Sequence, residues 1–265
     1  MTLYANARMY SPTPASAAAW RTVIDWAARA SGVPLAFLDY PAPLPMAGLW
    51  ARDDLGAAQM CGLPAALRRP PPTVLAAPVP SLPRYRGEAI YMSDLAVRAD
   101  SRFEKIEETF GGTAGYTVKD SQSGYFAFRY YLMTRHPGAK YARTVGGLVH
   151  ARGVVKALAE GAIDVGPLDS YVWDLLRADD PELAAKVRVI ASTDPTPMPP
   201  LVATAPLGTA DVERLRAAFR RVHEERSLDG ARRALLLERF VVPELAVYEE
   251  TRRRAHLVEK EPEWP

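Results

Sequence analysis

The sequence predicts an α/β protein with mainly parallel sheets, built as one large domain or as two lobes. Three observations carry this reading. Short apolar runs of strand length alternate with longer segments of helical period along the whole chain. Proline clusters at 41–45, 70–72 and 195–200 interrupt the pattern where connections belong, because proline lacks a donor and restricts the residue before it. A length of 265 residues suits one large domain or two lobes, at about 150 residues per domain.

The elements follow in order. Residues 3–9 read as a strand, and 15–30 as a helix that places Trp20, Ile24, Ala27 and Ala28 on one face and stops at Ser31-Gly32. A strand at 35–38, a short helix at 50–55, strands at 57–61 and 73–77 and a long strand at 89–98 come next. After Asp100-Ser101 a helix carries Phe103, Ile106 and Glu107, and a strand follows at 116–119. Ser121-Gln122-Ser123-Gly124 opens a helix through about Met133, and 153–160 lies in another that stops at Gly161. A strand at 163–167, a helix at 170–177 and a strand at 187–192 lead to a helical last third, 208–242, with Val212, Leu215, Ala218 and Phe219 on its apolar face.

Composition excludes several classes of function. Thirty-three Lys and Arg against thirty-one Asp and Glu leave a formal charge of +2, which gives no basic face for nucleic acid. The one cysteine, Cys61, in an apolar run, rules out an internal disulfide or Cys-rich zinc site and reads as a buried thiol. No run of 18 apolar residues is long enough to span a membrane. The histidines, at 136, 150, 223 and 256, form no metal-binding pair, so no metal is expected. There is no nucleophile elbow and no Walker loop, and Gly111-Gly112-Thr113-Ala114-Gly115 does not fit the dinucleotide fingerprint, so no cofactor is expected either. Residues 1–6 have neither a basic nor an apolar signal region. A periplasmic location therefore requires that a signal has been removed, and the alternative is the cytoplasm.

Three places can carry chemistry. In Val118-Lys119-Asp120-Ser121-Gln122-Ser123-Gly124, a strand runs into small hydroxyl residues at a helix start, where unpaired N–H groups and the positive end of the macrodipole favour an oxyanion. Asp169 lies just past the carboxyl end of a strand, the edge where ligands of open α/β sheets gather. His150 precedes an amphipathic helix, next to Gly146, Gly147 and Gly153. Each has a plainer reading as a helix cap. Tyr10 and Gly62 follow the first and third strands at the same kind of edge, or are ordinary loop residues.

Taken in order, Tyr91-Met92-Ser93-Asp94-Leu95, Asp120-Ser121-Gln122-Ser123-Gly124-Tyr125, His150 with 154–164, Val187-Arg188-Val189-Ile190 and Pro199-Pro200-Leu201-Val202 resemble the phosphate/phosphite/phosphonate-binding (PhnD-like) family of ABC-transporter substrate-binding proteins. The resemblance implies the type II periplasmic-binding-protein fold, two α/β lobes joined by two hinge strands, with 1–92 and 200–265 in one lobe and 93–199 in the other. It also implies a non-enzymatic solute-binding protein that closes on a small phosphorus oxyanion and hands it to a membrane permease. Ser121, Ser123, Gly124, His150 and Tyr91 match the family's ligand positions, with Ser93 beside them, and Gln122 stands where the family usually has Thr. Asp169 next to an oxyanion is repulsive unless the ligand brings a cation or a shared proton. Two rivals use the same scaffold: a cytoplasmic enzyme acting on a small carboxylate, with His150 and Asp169 as its acid–base pair, and a ligand sensor that signals through the arginine-rich helix at 211–233.

Overall fold

The computed structural model describes residues 2–264. The chain divides into two compact units, Met1–Ile90 with Pro197–Tyr248 and Tyr91–Thr196 with Glu249–Pro265. The family resemblance implies that 200–265 lies wholly in the first lobe. Residues 249–265 instead group with the second unit, because the last helix packs on the helix at 127–135.

The first unit opens with β1 (Tyr4–Asn6), α1 (Pro14–Ser31), β2 (Ala36–Phe37), α2 (Met46–Trp50), β3 (Leu55–Gln59), α3 (Gly62–Leu67) and β4 (Thr73–Pro80). The chain leaves it through β5 (Ile90–Tyr91). The second unit holds β6 (Ser93–Arg98), β7 (Thr113–Gly115), α4 (Ala127–Arg135), β8 (Arg143–Val145), α5 (Ala151–Ala159), β9 (Gly166–Asp169), α6 (Ser170–Asp179), α7 (Pro181–Ala184) and β10 (Val187–Ser192). Strand β11 (Thr196–Pro197) pairs with β5 on the way back to β12 (Leu201–Ala203), α8 (Thr209–Arg221), α9 (Asp229–Ala234) and β13 (Leu237–Val241), and α10 (Glu249–Val258) closes the second unit.

In the first unit the strand order is β13-β4-β12-β3-β1-β2, with β1 parallel to its two neighbours and the return strand β12 antiparallel to β3 and β4. Helix α1 shows how local sequence sets an element. Thr13 and Ser16 form a reciprocal capping box, Pro14 occupies the first turn and Gly32 ends the helix at φ 68°. Its buried face, Trp20, Val23, Ile24 and Ala27, packs with α8, whose Val212, Leu215, Ala218 and Phe219 are buried as expected. Phe240 of β13 meets both Trp20 and Phe219 edge-on or tilted, at 6.1 and 5.3 Å.

In the second unit β6 lies between β10 and β9, antiparallel to both. Strand β7 runs parallel to β8, and Ala114 bridges Val165 in the same sense. The ends of β7 and β8 and the approach to β9 therefore point the same way. Leu95, Val97, Ala114, Phe128, Leu132 and Val165 form the core beneath them.

Several elements differ from expectation. The strand expected at 89–98 is two strands, because Met92 donates to Ser170 Oγ at 3.0 Å and accepts from Ser170 N at 2.9 Å, which takes its backbone out of the ladder. The strand expected at 116–119 ends at Gly115; Thr117 N donates to Gly124 O and Ser121 N to Val118 O, so this stretch is a turn. The helix near Phe103 is one 3-10 turn, Ile106–Thr109. The short helix of 50–55 lies earlier, at Met46–Trp50, with Trp50 Nε1 donating to Gln59 O at 2.9 Å. Helix does not run to residue 242: 237–241 pairs with β4 as an edge strand that buries Leu237 and Phe240, and the three-residue spacing between them goes with a register shift between Leu237 and Arg239.

Candidate functional site

The turn that leads into α4 is set by Ser121. Its backbone is extended and its Oγ accepts from Gly124 N at 3.0 Å, which caps a five-residue π turn, Gln122–Phe126, continuous with α4. Gly124 is required by close approach, since a Cβ there would fall far inside contact with Thr117 Oγ1 and 2.9 Å from Ser121 Oγ. Ser93 Oγ donates to Ser123 O at 2.9 Å and fixes the turn to the start of β6. The Ser123 hydroxyl in turn hydrogen-bonds the carboxyl group of Asp169.

Asp169 faces Ser93 across the β6–β9 ladder and caps α6, accepting from Tyr171 N at 3.0 Å and Val172 N at 3.1 Å. The protein packed round this half-buried carboxyl desolvates it and pushes its pKa up to about 7. The two backbone N–H groups and the Ser123 hydroxyl oppose the rise, and Asp94 adds to it. Asp94 is fully buried next to Asp169 on β6 and accepts from Ser192 Oγ at 2.6 Å.

His150 caps α5: its Nδ1 accepts from Gly153 N at 3.1 Å, so the neutral ring carries its proton on Nε2. The loop before it is strained. Val149, a β-branched residue, has φ 66°, and Gly147 lies at φ 74°. Val149 N donates to Thr117 O at 3.3 Å, while Thr117 N donates to Gly124 O at 3.2 Å. Thr117 thus ties the His150 loop to the serine turn. Its Oγ1 is buried and without a hydrogen-bond partner.

The structure brings Ser93, Ser121, Ser123, Gly124, His150 and Asp169 to one end of the second unit, around the ends of β7, β8 and β9. The backbone of Gln122 belongs to the turn, but its buried side chain lines a pocket of about 10 Å³ with Tyr130, Tyr131 and Thr193, and its Oε1 has no partner. Tyr91 is buried at the crossing, where its carbonyl accepts from Thr196 Oγ1 at 3.4 Å. Tyr10 and Gly62 belong to the first unit. Tyr10 is fully buried and its hydroxyl donates to Met198 Sδ at 3.3 Å. Gly62 begins α3 under the ring of Tyr248, where a Cβ would come within 2.9 Å of Cδ1. Sequence reasoning missed Thr117 and Asp94. A threonine and an aspartate inside apolar runs are the only available signals, and both residues fall in stretches that the sequence predicts as strands.

Among the described residues no group of His, Cys, Asp and Glu is arranged to hold a metal, and no helix is long and apolar enough to cross a membrane. Hydroxyl donors, N–H groups at a helix start and an imidazole N–H are suited to hold a tetrahedral oxyanion. A carboxyl that is half protonated near neutral pH stands among them.

The fold is that of the type II periplasmic binding proteins. Over 97% of its length the chain superimposes on 86% of a binding-protein component of an ABC phosphonate transporter from Pseudomonas aeruginosa, with a TM-score of 0.81 and 18% identity. It also matches PhnD1 from Prochlorococcus marinus in complex with methylphosphonate, at a TM-score of 0.82 and 15% identity over 98% of this chain and 99% of that one. MatC from Rhodopseudomonas palustris with bound malate fits less well, with a TM-score of 0.59 and 13% identity over 97% of both chains. No curated protein sequence matches. The pattern of the family described as the periplasmic substrate-binding protein of the phosphonate ABC transporter matches residues 13–248. The chain belongs to that family.

Proposed function

We propose that this protein captures a small phosphorus oxyanion, phosphonate, phosphite or phosphate, and delivers it in the periplasm to the membrane permease of an ABC importer without altering it chemically. The observation that carries the reading is the Ser121–Gly124 turn, held by Ser93 and Asp169 and linked through Thr117 to the His150 loop. The Ser121 hydroxyl, the first N–H groups of the turn and His150 Nε2 donate to the anion, and the Ser123 hydroxyl does so when Asp169 is protonated and donates its own proton to the serine oxygen. Methylphosphonate in the Prochlorococcus marinus protein supports this ligand class.

Asp169 selects within it. A carboxylate beside a dianion is repulsive, so the bound species brings a proton that it shares with Asp169 or an ammonium group that it places there. Protonated phosphonates and aminoalkylphosphonates meet this condition.

A thermal-shift panel tests the proposal, using protein unfolded and refolded to strip carried-over ligand, against phosphate, phosphite, methylphosphonate, 2-aminoethylphosphonate, sulfate and small carboxylates. A ligand at about 100 times its Kd adds roughly 2.7 kcal/mol. For a chain of this size the midpoint rises by about 5 to 10 °C. A response confined to phosphorus oxyanions is expected. A response to carboxylates alone, or to nothing, overturns the proposal.

A further inference from the structure

We propose that residues 261–264 act as a strap that positions the oxyanion turn and the loop before His150. The inference rests on the reading of that turn as the ligand site. The strap begins at Arg129, a buried residue of α4. One of its nitrogens donates to Tyr125 Oη at 2.9 Å, and another donates to the carbonyls of Glu261 and Pro262 at 3.3 and 2.7 Å. Glu263 then pairs with Lys119, two residues before Ser121, at 3.0 Å. This pair is exposed and adds little strength, but it fixes where the segment runs.

Trp264 completes the strap. Its indole packs edge-on against Tyr125, Phe128 and Tyr141 at 5.8, 5.1 and 6.1 Å and is tilted against Tyr116 at 6.3 Å. Two of these rings lead directly to the site. Tyr125 follows Gly124, and Tyr116 precedes Thr117 and covers Gly146 so closely that a Cβ there has no room. The two tyrosines also touch each other at 5.0 Å. One indole therefore bears on both arms of the site, the serine turn through Tyr125 and the His150 loop through Tyr116.

Both arms need outside support. The turn is a single π turn, and the loop holds Val149 at a costly positive φ. The strap lies beyond residues 13–248, the stretch that the family pattern matches. Trp264 and Arg129 are positioning residues that do not touch the ligand.

The test measures methylphosphonate affinity and amide hydrogen exchange in the full-length chain and its Trp264→Ala, Trp264→Phe and Glu263→Lys variants. Loss of the edge-on contacts is expected to weaken binding about tenfold in Trp264→Ala, with Trp264→Phe recovering most of it and Glu263→Lys showing a smaller loss. Exchange at 121–126 and 146–150 should quicken in Trp264→Ala while the β6 and β10 amides keep their rates. Unchanged affinity with unchanged exchange at the two loops overturns the strap. Exchange that quickens evenly through the second unit also overturns it, since that marks a general loss of stability. If the wild type binds no phosphorus oxyanion the ligand reading fails, and the exchange pattern alone still decides the strap.

Discussion

Asp169→Asn should make the protein more stable above neutral pH and leave it unchanged in acid. Desolvation first, and the neighbouring Asp94 further, raise the carboxyl pKa from 3.8 to about 7. In the unfolded chain the group ionises near its ordinary value, so between about pH 4 and pH 7 the folded state holds a proton that the unfolded state has lost. Stability therefore falls as pH rises through this window and is constant on either side of it. Each tenfold difference in proton affinity is worth about 1.4 kcal/mol, which puts the full cost near 4 kcal/mol. Asp169 as a residue is only partly buried, and about 2 to 3 kcal/mol is the expected cost. Asparagine keeps the cap on Tyr171 and Val172, because it serves as an N-cap about as well as aspartate. Urea denaturation of the ligand-free protein and the variant from pH 4 to pH 8 gives the comparison. The account expects equal stability near pH 4 and an advantage of about 2 to 3 kcal/mol for Asp169→Asn at pH 8. A difference that does not vary with pH, or a less stable variant at pH 8, refutes the reasoning.

The other stability test concerns the close approach at the turn. Gly124→Ala forces a methyl group against Thr117 Oγ1 and should cost about 1 to 3 kcal/mol in urea denaturation, as overpacking of a filled site does. Thr117→Val exchanges a buried hydroxyl without a partner for a methyl group and should be neutral or stabilising by about 1 kcal/mol; a loss above that value would show that the hydroxyl is in fact hydrogen-bonded.

The general architecture is legible in the sequence because its signals are local. Thr13, Pro14, Ser16 and Gly32 mark α1 by themselves, and 187–192 is a strand with the expected bounds. The serine turn is legible for the same reason, as small hydroxyl residues followed by glycine at a helix start. What local signals missed was decided by distant partners. Ser170 takes Met92 out of the ladder, and Gly124 draws Thr117 out of a strand. Residues 237–241 form an edge strand because β4 is there to pair with them, although their neighbours are helical. Tyr10 lay at a sheet edge by position, and only the packed structure shows it enclosed with Met198 and Gln59. The C-terminal strap had no local signature either, since Trp264 gains its meaning from four aromatic rings more than a hundred residues away in sequence.

The most direct test of the central claim is a calorimetric titration of refolded protein with methylphosphonate, beside the Ser123→Ala and His150→Ala variants. The account predicts saturable one-to-one binding by the wild type. Because a hydrogen bond to a charged group is worth about 1.5 to 3 kcal/mol, each variant should bind about 10 to 100 times more weakly. Absence of binding by the wild type, or variants that bind as tightly as it does, would contradict the assignment of this turn as the oxyanion site.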